Sequence, residues 1–524
     1  MSRIEFLGHA GLAVEHAGKR LLCDPWMTAA GAYNASWFQY PHYPKSDLST
    51  LAEADAVYLS HEHEDHFDPE FLSLVDRATP ILTGRVHKRR LVSRLRKLGF
   101  ENIVELDDFE AYELADGFRV RIDTPTFHCP PHWFDSCALI ELGELKVFNL
   151  NDCNLALPVD RIREMGIDVL FAQASPAIWY PLTYRTYDDE RQTELKHARR
   201  ESAIESFVGA VEVLTPSLSI PFAGPPIFFD PALAPVFVGE DSMFGTAPVA
   251  ATRAAEKIGA TTEVLCPGDV LELDGPIGGA ADFTVHREPA YADFDYERDR
   301  RRYYDQHREE KEAIIADVLE RIPQPTESLL RRFERHILPF LKGHPYFVSR
   351  IDMRVLFDVQ GPGGGRWIVD FRREPDARLV YEDDGGACQY QFEIESRYLD
   401  QILRDDINWE DLFLSLRFTA HRDPDRYNQH LFTLFKMSDH RALQAIMEAE
   451  LAMAEPGSVE TFTLEREDGR YEVQRYCPHG GSDLKEANVV DGAIVCPGHH
   501  WRFDLETGEC ADAECRIEVR RIDE

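Results

Sequence analysis

Two clusters of metal-ligand side chains stand near opposite ends of this chain, and their spacing limits the chemistry each can do. Near the C-terminus, Cys477-Pro478-His479 is followed by Cys496-Pro497-Gly498-His499. Each half sits in a short loop after a strand-like run and offers one thiolate and one imidazole. Such a set suits a structural zinc ion or a two-iron cluster with thiolates on one iron and imidazoles on the other, which raises the potential above that of an all-cysteine cluster. The order Cys, His, Cys, His favours the cluster. Near the N-terminus, His61-Glu62-His63-Glu64-Asp65-His66 follows the apolar run Val57–Leu59. Donors at i, i+2, i+4 and i+5 cannot share one face of a helix or strand. On a strand-to-helix loop they can converge on one or two metal ions. Further donors follow later strand-like runs: His128, with His132 as an alternative, and Asp152.

The surrounding sequence has to supply elements that hold these loops. Ile4–Leu7, Leu12–Glu15, Leu21–Cys23 and Ala56–Ser60 read as short strands, as do Phe118–Ile122, Cys137–Leu142, Lys146–Leu150, Val169–Gln173 and Glu212–Thr215. Leu91–Leu98 has helical spacing. That alternation predicts an α/β layered domain over 1–285. A charged, proline-punctuated stretch, 286–345, reads as a helical connector. An α+β middle domain follows over 346–455, with a loop at Gly361–Gly365. The strand-rich tail, 456–524, is expected to be all-β.

Composition narrows the class. The 524 residues carry a net charge of −36 and are 44% apolar. That is enough for several cores and disfavours nucleic-acid binding, which needs a basic face. No run approaches the length of a membrane span. Ten cysteines in a chain this long are too sparse for a disulfide scaffold, so the expected setting is reduced and cytoplasmic. Lys88-Arg89-Arg90, with Arg94 and Arg96, forms a local basic patch that could dock an acidic electron donor.

The C-terminal motif, with Gly480-Gly481 after its first loop and Trp501-Arg502-Phe503-Asp504 after its second, resembles the Rieske [2Fe–2S] domain. The resemblance implies Cys477, His479, Cys496 and His499 as cluster ligands. His500 stands where that family usually has glycine. The cysteines of the disulfide-bearing variant are absent, which suits the ferredoxin or oxygenase type, and Cys510 and Cys515 read as ordinary thiols. The motif His-x-His-x-Asp-His, with Gly8-His9-Ala10 and the turn Asp24-Pro25, resembles the metallo-β-lactamase superfamily. That likeness implies an αββα sandwich and a first metal on His61, His63 and His128. A second would sit on Asp65 and His66, with Asp152 bridging. The family's last histidine is missing from Leu214–Pro226, which leaves an open position and suits non-haem iron as well as zinc.

The two parts together resemble the CMP-N-acetylneuraminate hydroxylase family, although that family places its Rieske domain first. The sugar-nucleotide substrate is therefore not carried over. The middle unit resembles sterol-carrier-like domains. The combination implies an iron-dependent oxygenase, of monooxygenase type. A Rieske cluster would relay electrons to one or two non-haem iron (or zinc) ions that activate dioxygen on a small-molecule substrate. An external donor, whether ferredoxin, cytochrome or flavin reductase, would feed the cluster. Asp65, Tyr180 and Arg185 are the expected catalytic and substrate-contacting residues, the last two because this fold places substrate loops near Trp179–Arg185. The alternative is a zinc hydrolase of phosphodiester, lactone or amide bonds with a redox-regulatory Rieske domain.

Overall fold

The computed structural model describes residues 1–124, 135–153, 159–239, 241–278, 282–374, 376–425, 427–455, 458–466, 468–478, 481–497, 501–513 and 515–522. His128 and His132 lie outside the described residues, as do His479, His499 and His500.

The N-terminal part is a four-layer αββα sandwich. One sheet has eight strands. Ser2–Gly8, Gly11–His16 and Lys19–Cys23 form an antiparallel meander, extended in parallel by Ala56–Tyr58, Ile81–Gly84 and Ile103–Leu106. The other has six, with Cys137–Leu142, Leu145–Asn149, Val169–Gln173 and Leu218–Phe222 at its centre and one edge. The two sheets face each other through Ile4, Leu12, Val14, Tyr58, Val120, Ile140, Val147, Phe171 and Ile220, all at or near zero exposure. Strands covered on both faces read as unbroken apolar runs, which explains why Cys137–Leu142 shows no alternation.

On the outer face of the second sheet, Ile204, Phe207 and Val211 of the helix Asp189–Leu214 pack against Leu139, Phe148 and Leu170. This helix overturns one sequence expectation. Glu212–Thr215 is its final turn, not a strand, and the strand begins three residues later at Leu218. The helix starts on Asp188, whose side chain accepts from Arg191 N, and has Asp189 and Glu190 in its first turn. Both features favour a helix start, and the four residues at the far end cannot be told from a strand by periodicity alone.

The connector holds the helices Arg300–Arg321 and Leu330–Gly343. Pro339, read as punctuation, lies inside the second. The middle unit is a mixed five-stranded sheet in the order Val380–Glu382, Gly365–Asp370, Arg354–Gln360, Tyr390–Glu395, Phe418–Arg422. Its helices Trp409–Leu414 and Gln429–Met437 pack on one face. The core of this unit does not close on itself. Trp26, Tyr33, Trp37 and Phe228 of the N-terminal sandwich belong to the same apolar cluster as Phe357, Phe392, Phe413 and Phe435. Thr183–Arg185 adds to the sheet edge, with Arg185 N donating to Ala420 O and Ala420 N to Thr183 O. The tail carries two three-stranded sheets.

Candidate metal centre

The loop His61–His66 leaves the strand Ala56–Tyr58 at the same end of the sandwich where His9, Asp24 and Asp152 leave theirs. Each of its three histidines has one ring nitrogen held by protein and the other turned inward. His61 Nδ1 lies 2.9 Å from Ser60 Oγ, and its Nε2 lies 2.7 Å from His63 Nδ1. His63 Nε2 faces the Glu410 carboxylate at 3.3 Å. His66 Nδ1 lies 2.9 Å from Asp24 Oδ2, while its Nε2 faces Asp152 at 3.5 Å and Asp65 at 3.8 Å. Metal-binding imidazoles are characteristically anchored through the second nitrogen in this way, which fixes tautomer and ring orientation.

Asp65 is itself clamped. His9 Nε2 sits 2.8 Å from one carboxylate oxygen, and the Tyr33 hydroxyl donates to the other. His9 gets there because the tight turn at Gly8-His9 puts a non-glycine residue at φ +51°, a conformation L side chains seldom adopt. Ligand atoms of His61, His66 and Asp152 lie within 4.8 Å of one another, and so do those of His9, Asp65 and His66.

The charges fit a cation. Burial pulls the His66 pKa down, but the Asp152 and Asp65 carboxylates outweigh it and hold it well above the ordinary value. Burial also opposes protonation of His63, yet Glu410 raises it to about 9. Burial, with His66 and His63 nearby, keeps His61 well below its usual value. Burial pushes Asp65 up, while His66 and His9 pull it well below the usual carboxylate range. Protons on His63 and His66 thus supply the positive charge that a divalent ion would supply on displacing them. Buried His66 Nε2 and Asp152 Oδ1 make no hydrogen bond among the described residues. Buried polar atoms left facing one another in this way are what a metal site looks like without its ion. The residues present therefore fit one or two metal ions.

A cavity of about 1400 Å³ opens on this centre. Asp65, Asp135 and Asp152 line it, and so do Pro497 and Trp501 of the C-terminal tail. Burial raises Asp135 to about 6. Trp179, Tyr180, Arg199, Arg422, Tyr427 and Lys436 also belong to its lining. The guanidinium groups of Arg199 and Arg422 each lie 5.0 Å from the Tyr180 ring. Cys477 and Cys496 are buried together in one apolar cluster with Trp501. Their backbone is set by Cys477 N donating to Ser482 O and Cys496 N to Trp501 O.

Comparison with known proteins accounts for each part. Residues 3–187 match the model of the beta-lactamase superfamily domain, 329–450 that of the Rv3818-like, SCP2-like domain, and 444–522 that of the Rieske [2Fe-2S] domain. The chain joins a metallo-β-lactamase-fold domain to a Rieske domain. A Rieske 2Fe-2S iron-sulfur protein of Mycolicibacterium smegmatis is 29% identical, the match covering 97% of each chain. The cytidine monophosphate-N-acetylneuraminic acid hydroxylase of Danio rerio is 22% identical over 83% of this chain and 71% of its own. Among solved structures, CmlA, a diiron beta-hydroxylase from Streptomyces venezuelae, aligns with a TM-score of 0.34 and 20% identity, over 55% of this chain and 54% of that one.

Of the ligands expected from sequence, His61, His63, Asp65, His66 and Asp152 come together in the metallo-β-lactamase-fold domain. His128 lies outside the described residues, as do His479 and His499 of the Rieske set. Tyr180 lines the cavity, as expected of a substrate contact. Arg185 does not. Its backbone is consumed by the edge of the SCP2-like sheet, so its side chain points to solvent, 63% exposed, and pairs with Glu393 at 3.2 Å.

Three residues of the basic patch are engaged in ion pairs within the chain. Lys88 is buried against Glu62 at 2.8 Å, Arg89 pairs with Glu105, and Arg90 reaches Asp405 and Asp411 of the SCP2-like domain. His9, Asp24, Tyr33, Asp135 and Glu410 were not among the expected site residues. Gly-His-Ala and Asp-Pro were visible as motifs, but nothing local marks Tyr33, Asp135 or Glu410. Ala223 N, where the superfamily's last histidine would stand nearby, donates instead to His9 O.

Proposed function

We propose that the chain is an oxygenase in which the Rieske domain feeds electrons to the metallo-β-lactamase-fold metal centre while a small-molecule substrate occupies the cavity between them. The observation that carries this reading is that one cavity is lined both by Asp65 and Asp152 and by Pro497 of the Rieske loop. The hydroxylase relative from Danio rerio supports it. When bound, the cluster supplies single electrons and iron supplies dioxygen activation.

The chain's own residues do the rest. His61, His63, His66, Asp65 and Asp152 hold the metal, with His9 and Tyr33 fixing Asp65. Burial and the neighbouring Asp65 keep the Tyr33 hydroxyl protonated, its pKa well above the ordinary value. A proton is therefore held at Asp65 throughout the neutral range. Trp179, Tyr180 and Trp501 exclude water from the substrate's flank. Arg199 has no carboxylate at ion-pair distance among the described residues, so an acidic group on the substrate has a partner there. The external electron donor and the substrate's identity belong to this proposal as classes only.

The test is single turnover of the full-length, iron-loaded protein, reduced without oxygen and then mixed with it. Cluster reoxidation followed by visible absorbance should be fast in the wild type and slow in His63→Ala. Metal analysis should show iron beyond the roughly two atoms of the cluster. Zinc alone in the N-terminal site, with ester or phosphodiester hydrolysis indifferent to the cluster's redox state, would establish the hydrolase instead.

A further inference from the structure

We infer that the SCP2-like domain completes the metal centre, with Glu410 as the positioning residue for His63. The inference rests on the metal-centre reading of the His61–His66 loop but not on which reaction that centre performs.

The geometry follows a rule already obeyed by the neighbouring rings. His61 is anchored at Nδ1 by Ser60 and His66 at Nδ1 by Asp24, both from the metallo-β-lactamase-fold domain. His63 is the exception. Its Nδ1 turns inward toward His61 Nε2 at 2.7 Å, and its outer Nε2 faces Glu410 Oε2 at 3.3 Å, across the domain boundary. Glu410 is 3% exposed, so a carboxylate has been brought out of water to this point. Burying a charge that way is costly unless it is paired. Its two oxygens divide the work: Lys436 Nζ lies 2.6 Å from Oε1, and Oε2 is left to the imidazole.

Glu410 cannot wander. Its helix, Trp409–Leu414, starts with a capping box in which the Asn408 side chain takes Asp411 N and the Asp411 side chain takes Asn408 N. The same Asn408 donates to Glu62 Oε1 at 3.1 Å, inside the metal loop itself. Lys88, 2.8 Å from Glu62, sits 3.9 Å from Glu410 Oε2 and ties the two acidic groups together. A carboxylate accepting the outer N–H of a ligand histidine raises the basicity of that ligand and holds the tautomer whose other nitrogen is free to bind. The sterol-carrier-like fold therefore supplies a working part of the centre, in addition to walling the cavity.

The competing account is that Glu410 only links the two domains through Lys436. Cobalt titration of the full-length protein separates the accounts, with the N-terminal site first stripped by a chelator. Affinity is read by competition with a chromogenic chelator, and geometry by the visible Co²⁺ spectrum. Glu410→Gln should weaken Co²⁺ binding about 10- to 100-fold and move the ligand-field bands. Glu410→Asp, which keeps the charge but draws it back, should lose less. Lys436→Met keeps the carboxylate at His63 and should shift binding by less than Glu410→Gln does.

Wild-type affinity and an unchanged spectrum in Glu410→Gln overturn the inference, whatever happens to its melting temperature. It is equally overturned if Glu410→Asp and Lys436→Met fall as far as Glu410→Gln, since domain docking then explains all three. Failure of the wild-type protein to bind Co²⁺ at all would count against the metal centre itself, a different result from either.

Discussion

Asp24 offers a direct measure of how far the protein matrix sets metal affinity. Its carboxylate is fully buried and takes Ser60 N at 2.8 Å, Ser60 Oγ, and His66 Nδ1 at 2.9 Å. Asp24→Asn keeps the shape but replaces one acceptor by a donor. If the amide oxygen stays on Ser60 N, the amide nitrogen faces His66 Nδ1, and the ring must move its proton to Nε2, the nitrogen that points at Asp152. If the amide flips, its nitrogen meets the Ser60 N–H, donor against donor.

Either arrangement leaves a buried polar group badly served. The cost is about 2 kcal/mol, or roughly 30-fold in metal affinity. Competition against a chromogenic chelator with Co²⁺ or Zn²⁺ measures it, with the melting temperature and cluster absorbance of the same sample as the check on folding. A well-folded Asp24→Asn protein that binds either metal within about twofold of wild type would show that Asp24 does not set the tautomer of His66.

Other consequences can be checked in parallel. Burial first, then the neighbouring His307, lowers the His42 pKa to about 4, so folding opposes its protonation. A depressed folded pKa means stability is full above about pH 6.5 and declines as pH falls toward 4. At pH 5 the loss is about 2 kcal/mol, and thermal melts of His42→Gln should show a flatter profile between pH 7 and 5. Arg199→Met should raise KM for an acidic substrate while kcat changes little, and equal KM values would remove Arg199 from binding. Arg185→Ala, which breaks only the exposed pair with Glu393, should leave turnover unchanged and stability within about 0.5 kcal/mol, as assays of rate and melting would show.

How much of this was legible in the sequence depends on whether the signal was local. The six-residue loop His61–His66 announces itself because all six of its side chains are possible donors, and the strand before it is a plain apolar run. The cysteines of the Rieske loops are equally plain. Asp24, by contrast, reads as a turn residue beside Pro25, and its partner is 42 residues away. Glu410 reads as an ordinary acid in the first turn of a helix, and its contact with His63 depends on how two domains dock. Arg185 misled because its place in the chain suggested a loop over the site. Two backbone hydrogen bonds made it part of a sheet instead, and strand addition at an edge leaves no mark in composition. Glu212–Thr215 misled for a smaller reason, since four residues are too few to separate a strand from a helix end.

The metal loop alternates its loyalties. His61, His63 and Asp65 turn toward the centre, whereas Glu62, between the first two, takes Lys88 and Asn408, and Glu64 takes Tyr33 N. One backbone segment is thus shared by ion binding and by the seam between domains. Sharing of that kind makes the two equilibria thermodynamically linked. Whatever free energy a bound ion adds to the seam, the closed seam must return to the ion, in equal measure. A metal-starved protein should then be looser where its domains meet, and the seam itself becomes a reporter of whether the centre is loaded.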